Sequence, residues 1–185
     1  MRILLAILLL IAIDVSAQTV TFGPIALGKP FPDIPECSTG TPDTCLDTCC
    51  DRKSRMEPGS LYMISNLLYP DDEGGFVTIL ESCNAKPDNC PVGQVEATVS
   101  WDMCLKVLGR LKTKLGTPAH RSQPVQNAFG AKWVQDYFTW STKAGDQVRY
   151  SMHTEFDDNK CSLSADTREF RKQAAANKEA PEVKF

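Results

Sequence analysis

GQVEATVSWDMCLKVLGRLKTKLGTP, residues Gly93 to Pro118, contains two different periods in direct succession. From Val95 to Val99 the apolar residues alternate, with Val95, Ala97 and Val99 on one face and Glu96 and Thr98 on the other, the period of a half-buried strand. From Cys104 the spacing becomes three and four, through Val107, Leu108, Leu111 and Leu115, while Lys106, Arg110, Lys112 and Lys114 take the remaining surface. That is an amphipathic helix. Ser100 or Asp102 is available to cap it, Lys112 and Lys114 lie at the negative end of its dipole, and Gly116-Thr117-Pro118 stops it. Burying Val107, Leu108, Leu111 and Leu115 is worth roughly 1.5 to 3 kcal/mol each before entropy is subtracted, so this helix requires a sheet to lie on.

Upstream, Met1 to Ala17 has a basic start at Arg2, an apolar run from Ile3 to Ile13 and a small-residue end at Val15-Ser16-Ala17, the form of a secretory signal peptide too short to serve as a lasting membrane span. The nearest cysteine to the expected cleavage site is Cys37, which argues against lipid attachment. The mature chain is therefore expected to be secreted or periplasmic, with no transmembrane segment. A formal charge of -3 with dispersed basic residues gives no electrostatic footprint for nucleic acid.

Eight cysteines, Cys37, Cys45, Cys49, Cys50, Cys83, Cys90, Cys104 and Cys161, lie after the signal, and an even number in an exported chain points to disulfide bonds. No CxxC pair occurs, and His120 and His153 are distant from the cysteine cluster, which argues against zinc. Two pairings are expected. Cys83 to Cys90 closes the polar turn NAKPDN, worth about 2.5 kcal/mol on the chain-entropy model, and Cys104 to Cys161 ties the helix to the last strand. Cys49 and Cys50 are not expected to pair with each other, because a bond between neighbours strains the peptide between them.

Thr19 to Phe22 alternates and reads as an edge strand; the prolines from Pro24 to Pro42 then exclude regular structure. Thr41-Pro42-Asp43 has the form of a helix start, which places a short helix from about Pro42 to Asp51. Leu61 to Tyr69 and Phe76 to Leu80 suggest a hairpin across PDDEGG, whose acids lack the spacing of a calcium loop, while the period of Leu61 to Leu68 fits a helix equally well. Beyond the central helix, Pro118 to Pro124 reads as a polar loop and Ala131 to Ser141 as an aromatic strand. Gln147 to Phe156 is a strand with Val148, Tyr150, Met152, Thr154 and Phe156 on one face and Arg149, Ser151, His153 and Glu155 on the other. Cys161 to Leu163 extends it, and from Asp166 the chain is polar and alanine-rich, expected as a frayed, exposed helix to about Asn177 and a disordered end after Ala180. The expected organisation is a signal at 1–17, one disulfide-stapled domain at 18–163 and a polar tail at 164–185. The expected fold is α+β: an antiparallel sheet of four or five strands with one main helix on one face.

Leu105-x-x-Leu108-x-x-Leu111 followed by Lys114-Leu115-Gly116-Thr117-Pro118, then a tryptophan strand from Trp133 to Trp140 and a strand ending at Asp157, give an order of elements that resembles small exported bacterial proteins. Among these are outer-membrane assembly lipoproteins of the SmpA type and the β-lactamase inhibitor proteins. GKPFPDIPEC, Gly28 to Cys37, is similar to uncharacterised proteobacterial exported proteins. The first resemblance spans roughly Gly93 to Leu163; it implies an antiparallel sheet and protein binding. Membrane anchorage does not carry over without the lipidated cysteine.

No P-loop, GxGxxG, HExxH or GxSxG occurs, and no cofactor or metal is expected. His153, between Arg149 and Glu155, is the better placed of two histidines for acid–base work, since nothing near His120 in sequence would orient it. The aromatic strand is more suggestive. Strict alternation puts Trp133, Gln135, Tyr137 and Thr139 on one face and Val134, Asp136, Phe138 and Trp140 on the other; one helix covers only one face, so some rings stay exposed as anchors for a protein or glycan unless a bulge restores a single face or the cysteine-rich arm covers the second. The candidate binding residues are Trp133, Tyr137, Trp140, Arg149 and His153, and the expected partner is a protein. The expected function is that of an exported non-enzymatic binding protein, an inhibitor or immunity factor of a secreted or periplasmic enzyme. The alternatives are a small secreted hydrolase and an envelope-associated structural component.

Overall fold

Alternating segments become strands only where neighbours satisfy their backbone groups, and here the neighbours are mostly the next segments in sequence. The computed structural model describes residues 19–32, 49–51, 61–65, 67–68, 75–80, 89–126, 129–153 and 160–179. In chain order its elements are β1 (Thr21–Phe22), β2 (Ile25–Ala26), β3 (Cys49–Asp51), β4 (Leu61–Ser65), β5 (Gly75–Ile79), β6 (Val92–Ser100), α1 (Trp101–Leu115), β7 (Ala119–Gln126), β8 (Lys132–Ser141), β9 (Gln147–Met152), β10 (Lys160–Asp166) and α2 (Arg168–Glu179). β1 and β2 form a small hairpin. The others form one antiparallel sheet in the order β3-β4-β5-β6-β10-β9-β8-β7. Two meanders, β3–β6 and β7–β10, are thus joined by α1 and closed by pairing of β10 with β6.

The fold is α+β with an antiparallel sheet, as expected, but the sheet has eight strands among the described residues rather than four or five. Three differences account for this. Cys49–Asp51, expected at the end of a helix, pairs as strand β3 with Ser65, Ile64 and Met63, so tertiary pairing overrides the local capping signal. Cys161 to Leu163, expected to prolong the previous strand, belongs to a separate strand, Lys160–Asp166, between β6 and β9. Ala119–Gln126, expected as a loop, is the edge strand β7. Being largely solvated on both faces, β7 has no alternation to betray it, and Pro124 is tolerated at a sheet edge.

One face of the sheet carries the core. Val77, Val95, Ala97 and Val99 lie in register with Cys161, Leu163 and Ala165, and these with Val148 and Tyr150 and then Phe138 and Trp140, all buried. α1 packs there through Cys104, Val107, Leu108 and Leu111. Leu115 is only partly buried. Ser100 occupies the N-cap position but makes no side-chain capping bond, and Gly116, at φ +83°, closes the helix by donating its amide to Lys112 O at 2.9 Å. Three strands hold the helix. Cys104 is disulfide-bonded to Cys161 of β10, Tyr150 Oη of β9 donates to Cys104 O at 2.9 Å, and Trp140 Nε1 of β8 donates to Gly116 O at 2.8 Å.

The described part of the proline-rich arm is ordered. Val20, Phe22, Ile25, Leu27 and Phe31 are buried, and Gly28 N donates to Val92 O at 2.9 Å while Val92 N donates to Lys29 O at 2.8 Å. Cys90 is disulfide-bonded and fully buried. Its expected partner Cys83 lies outside the described residues, as do Cys37, Cys45, the signal segment and the end after Ala180. α2 is fastened rather than frayed at its start: Thr167 Oγ1 accepts from Phe170 N at 3.1 Å, and Arg171 reaches Asp166 of β10 and Gly145 O of the β8–β9 turn. Among the described residues no helix is long and apolar enough to cross a membrane.

Where β5 meets β6, Gly75 is required by space. A Cβ there would stand 2.7 Å from Glu96 O and 2.5 Å from Leu67 Cδ2, and the carbonyl belongs to the ladder and cannot turn away. Gly75→Ala is expected to cost about 1 to 3 kcal/mol, read as a lower midpoint in urea denaturation at unchanged slope.

Candidate functional site

Register fixes which side chains meet on the sheet face opposite α1. Across β7 and β8, Arg121 faces Tyr137, Gln123 faces Gln135 and Val125 faces Trp133; across β8 and β9, Tyr137 faces Ser151 and Thr139 faces Arg149. β8 shows no register shift, so no bulge gathers the aromatics onto one side. Phe138 and Trp140 point into the core, and Trp133 and Tyr137 lie on the other face.

Tyr137 is the fixed point of this surface. Gln123 Nε2 donates to its Oη at 3.0 Å, Oη donates to Gln135 Oε1 at 2.5 Å, and Gln135 Nε2 donates to His153 O at 2.6 Å. Gln135 is only 2% exposed, so this relay satisfies an amide that is costly to bury alone. The phenol ring is therefore held, and the exposed Arg121 guanidinium lies over it, 5.2 Å from the centroid. At the turn joining β7 to β8, Phe129 is 97% exposed.

The other candidates are placed differently. Trp140 belongs to the core under α1. Trp133 is half-buried, with its Nε1 out of solvent and without a hydrogen bond among the described residues. Arg149 Nη2 donates to Asp166 Oδ2 at 2.5 Å, so its charge is already engaged. His153 follows β9 in the left-handed region, φ +64°, and its ring lies 4.6 Å from that of Trp101; Glu155 lies outside the described residues.

A second grouping, on the α1 side, is one that sequence reasoning missed. His120 stacks on Phe138, centroids 4.6 Å apart at 7°, and its Nε2 lies 3.0 Å from Asp136 Oδ1. Ser122 Oγ donates to the same Asp136 oxygen and lies 3.4 Å from the same ring nitrogen. A serine–histidine–aspartate relay needs the acid on one ring nitrogen and the hydroxyl on the other. Here both meet Nε2 and the hydroxyl is bonded to the acid, so the arrangement does not activate Ser122. Beside it a depression of about 380 Å³ is lined by Lys112, Gly116, Thr117, Pro118, His120 and Phe138. Among the described residues no group of three or more His, Cys, Asp or Glu is assembled to hold a metal.

The Ser122 hydroxyl, followed by the His120 hydrogen bond, holds the Asp136 carboxyl below its ordinary value of 3.8; partial desolvation opposes this, and the charges of His120 and His153 assist it. A depressed folded-state value stabilises the fold above the ordinary carboxylate range, and that contribution disappears as pH falls through the depressed value. Ser122→Ala is expected to move Asp136 titration upward, as followed by carboxyl carbon NMR; an unmoved midpoint would contradict the hydrogen-bond cause.

Arg121, Gln123, His120 and Ser122 were hidden because an edge strand without alternation reads as a loop. The usable signal was the span from Asn127 to Gly130 before an aromatic strand, which is hairpin chemistry. Neither a protein-family model, nor a curated protein, nor a solved structure matches the chain.

Proposed function

We propose that this chain is an exported, non-enzymatic protein-binding module, an inhibitor or immunity factor that acts on a secreted or periplasmic enzyme through the sheet face opposite α1. The observation that carries this reading is Tyr137 locked by Gln123 and Gln135 with Arg121 over its ring. Tyrosine and arginine dominate the energetics of protein interfaces, and side chains ordered in advance lose little entropy on binding. The signal-like start and the Cys104–Cys161 disulfide favour an oxidising compartment outside the cytosol. The resemblance to small exported inhibitor proteins points the same way. The hydrolase alternative, using His153 or a carboxylate pair, gains no support from His120, where acid and hydroxyl share one ring nitrogen.

Secreted hydrolases titrated with the chain test this. One of them is expected to lose activity stoichiometrically, and Arg121→Ala with Tyr137→Ala is expected to weaken that inhibition by at least 2 kcal/mol, about thirtyfold. Turnover by the chain itself that disappears with His120→Ala or His153→Ala would overturn the proposal.

A further inference from the structure

We infer that Arg121, exposed on the sheet face opposite α1, is a carboxylate receptor, the point at which an Asp or Glu side chain of the protein partner docks; this rests on the binding reading above and names its chemistry. A guanidinium presents five N–H donors in a planar fork that fits a carboxylate bidentately. At Arg121 none of them is consumed within the described structure: its one interaction is with the ring of Tyr137, which uses the cation's charge and leaves the donors available. Arg149 on the same face is the contrast, since it donates to Asp166.

No described acid on this face competes for Arg121. Asp166 is 1% exposed and already shared between Arg149 and Arg171. Glu96 accepts from Gln94 Nε2 at 2.9 Å and lies on β6, four strands from β7, about 19 Å at strand spacing and beyond a Debye length. Asp136 points to the opposite face with His120 and Ser122.

Position favours a protein carboxylate over a free phosphate. A phosphate is held by several converging cations or by backbone amides, whereas Arg121 is a single fork on an extended strand, bordered by the hydrogen-bonding side chains of Tyr137, Gln123 and Thr139. The chain as a whole carries a formal charge of -3. An acidic partner is therefore selected by the short-range bidentate contact rather than by long-range attraction.

The test is titration of the isotope-labelled full chain, at constant ionic strength, with the peptide Ac-Gly-Glu-Gly-NH2, its Gln counterpart and inorganic phosphate, reading the Arg121 Nε–Hε resonance. The Glu peptide is expected to shift that resonance saturably and the Gln peptide to leave it in place. Arg121→Lys, which keeps charge but loses the fork, is expected to weaken binding about threefold to tenfold, followed at the Tyr137 amide. Tyr137→Leu is expected to weaken it about two- to fivefold by removing the ring. Equal shifts with the Gln peptide, or tighter binding of phosphate than of the Glu peptide, would overturn the inference. The two readings fail separately. Inhibition of an enzyme that survives Arg121→Gln removes the receptor and keeps the binding module, whereas peptide binding without any inhibited enzyme keeps the receptor and removes the inhibitor.

Discussion

Replacing Cys104 and Cys161 together by alanine is expected to remove about 4 kcal/mol of stability. The bond spans 57 residues, and on the chain-entropy model a loop of that length costs the unfolded chain about 4 kcal/mol of freedom when closed. Both cysteines are fully buried, so truncation also leaves a small void between α1 and β10. The bond joins residues far apart in sequence at the place where α1 lies on the centre of the sheet, and every element from β7 to β9 lies within the loop it closes. Urea denaturation of the double variant should show a lower midpoint and a steeper slope, because the unfolded chain without the cross-link exposes more surface. A loss below about 1 kcal/mol would mean that the closed loop is already ordered in the unfolded chain.

The second large effect is expected at Asp166. Its side chain is 1% exposed, with Arg149 on one carboxylate oxygen and Arg171 on the other. The arginines are unequal: Arg149 is 53% exposed and Arg171 is 30% exposed and also bonds Gly145 O. Removing both by Arg149→Ala with Arg171→Ala leaves a buried carboxylate without a partner, which is expected to cost about 3 to 5 kcal/mol. Arg171→Ala alone should account for more of this than Arg149→Ala alone, since solvent already screens Arg149 and since Arg171 pins α2 to the β8–β9 turn. The single losses should not add, because the remaining arginine compensates for the first removal. A double variant within about 1 kcal/mol of the parent in urea denaturation would show that water reaches Asp166 readily.

The helix and the strand before it were legible because their apolar residues are buried on one side only, so that the period and the Gly116 stop agree from Val95 to Gly116. The same logic made Val148 and Tyr150 readable as core and Arg149 as outward-facing. The alternation in β8 was also readable, and it separates Trp140 from Tyr137. What could not be read was long-range pairing. Cys49 and Cys50 carry no local strand signal and are strand only through Ser65 and Ile64. Lys160–Asp166 declares itself only through simultaneous pairing to β6 and β9. The candidate site failed to declare itself for a related reason. Arg121 and Gln123 lie on an edge strand, and what makes them a site is Tyr137, sixteen and fourteen residues later in sequence but directly opposite or diagonal in the ladder. His120 has no orienting residue nearby in sequence; Asp136 and Phe138 orient it from the neighbouring strand.

The central claim is that the sheet face opposite α1, centred on Tyr137, is the surface that meets a protein partner. Cross-saturation from an unlabelled inhibited enzyme to the labelled chain tests it most directly. The strongest attenuation is expected at Arg121, Gln123, Tyr137 and Thr139; attenuation centred instead on Leu105, Lys112 and His120, on the α1 side, would place the interface elsewhere.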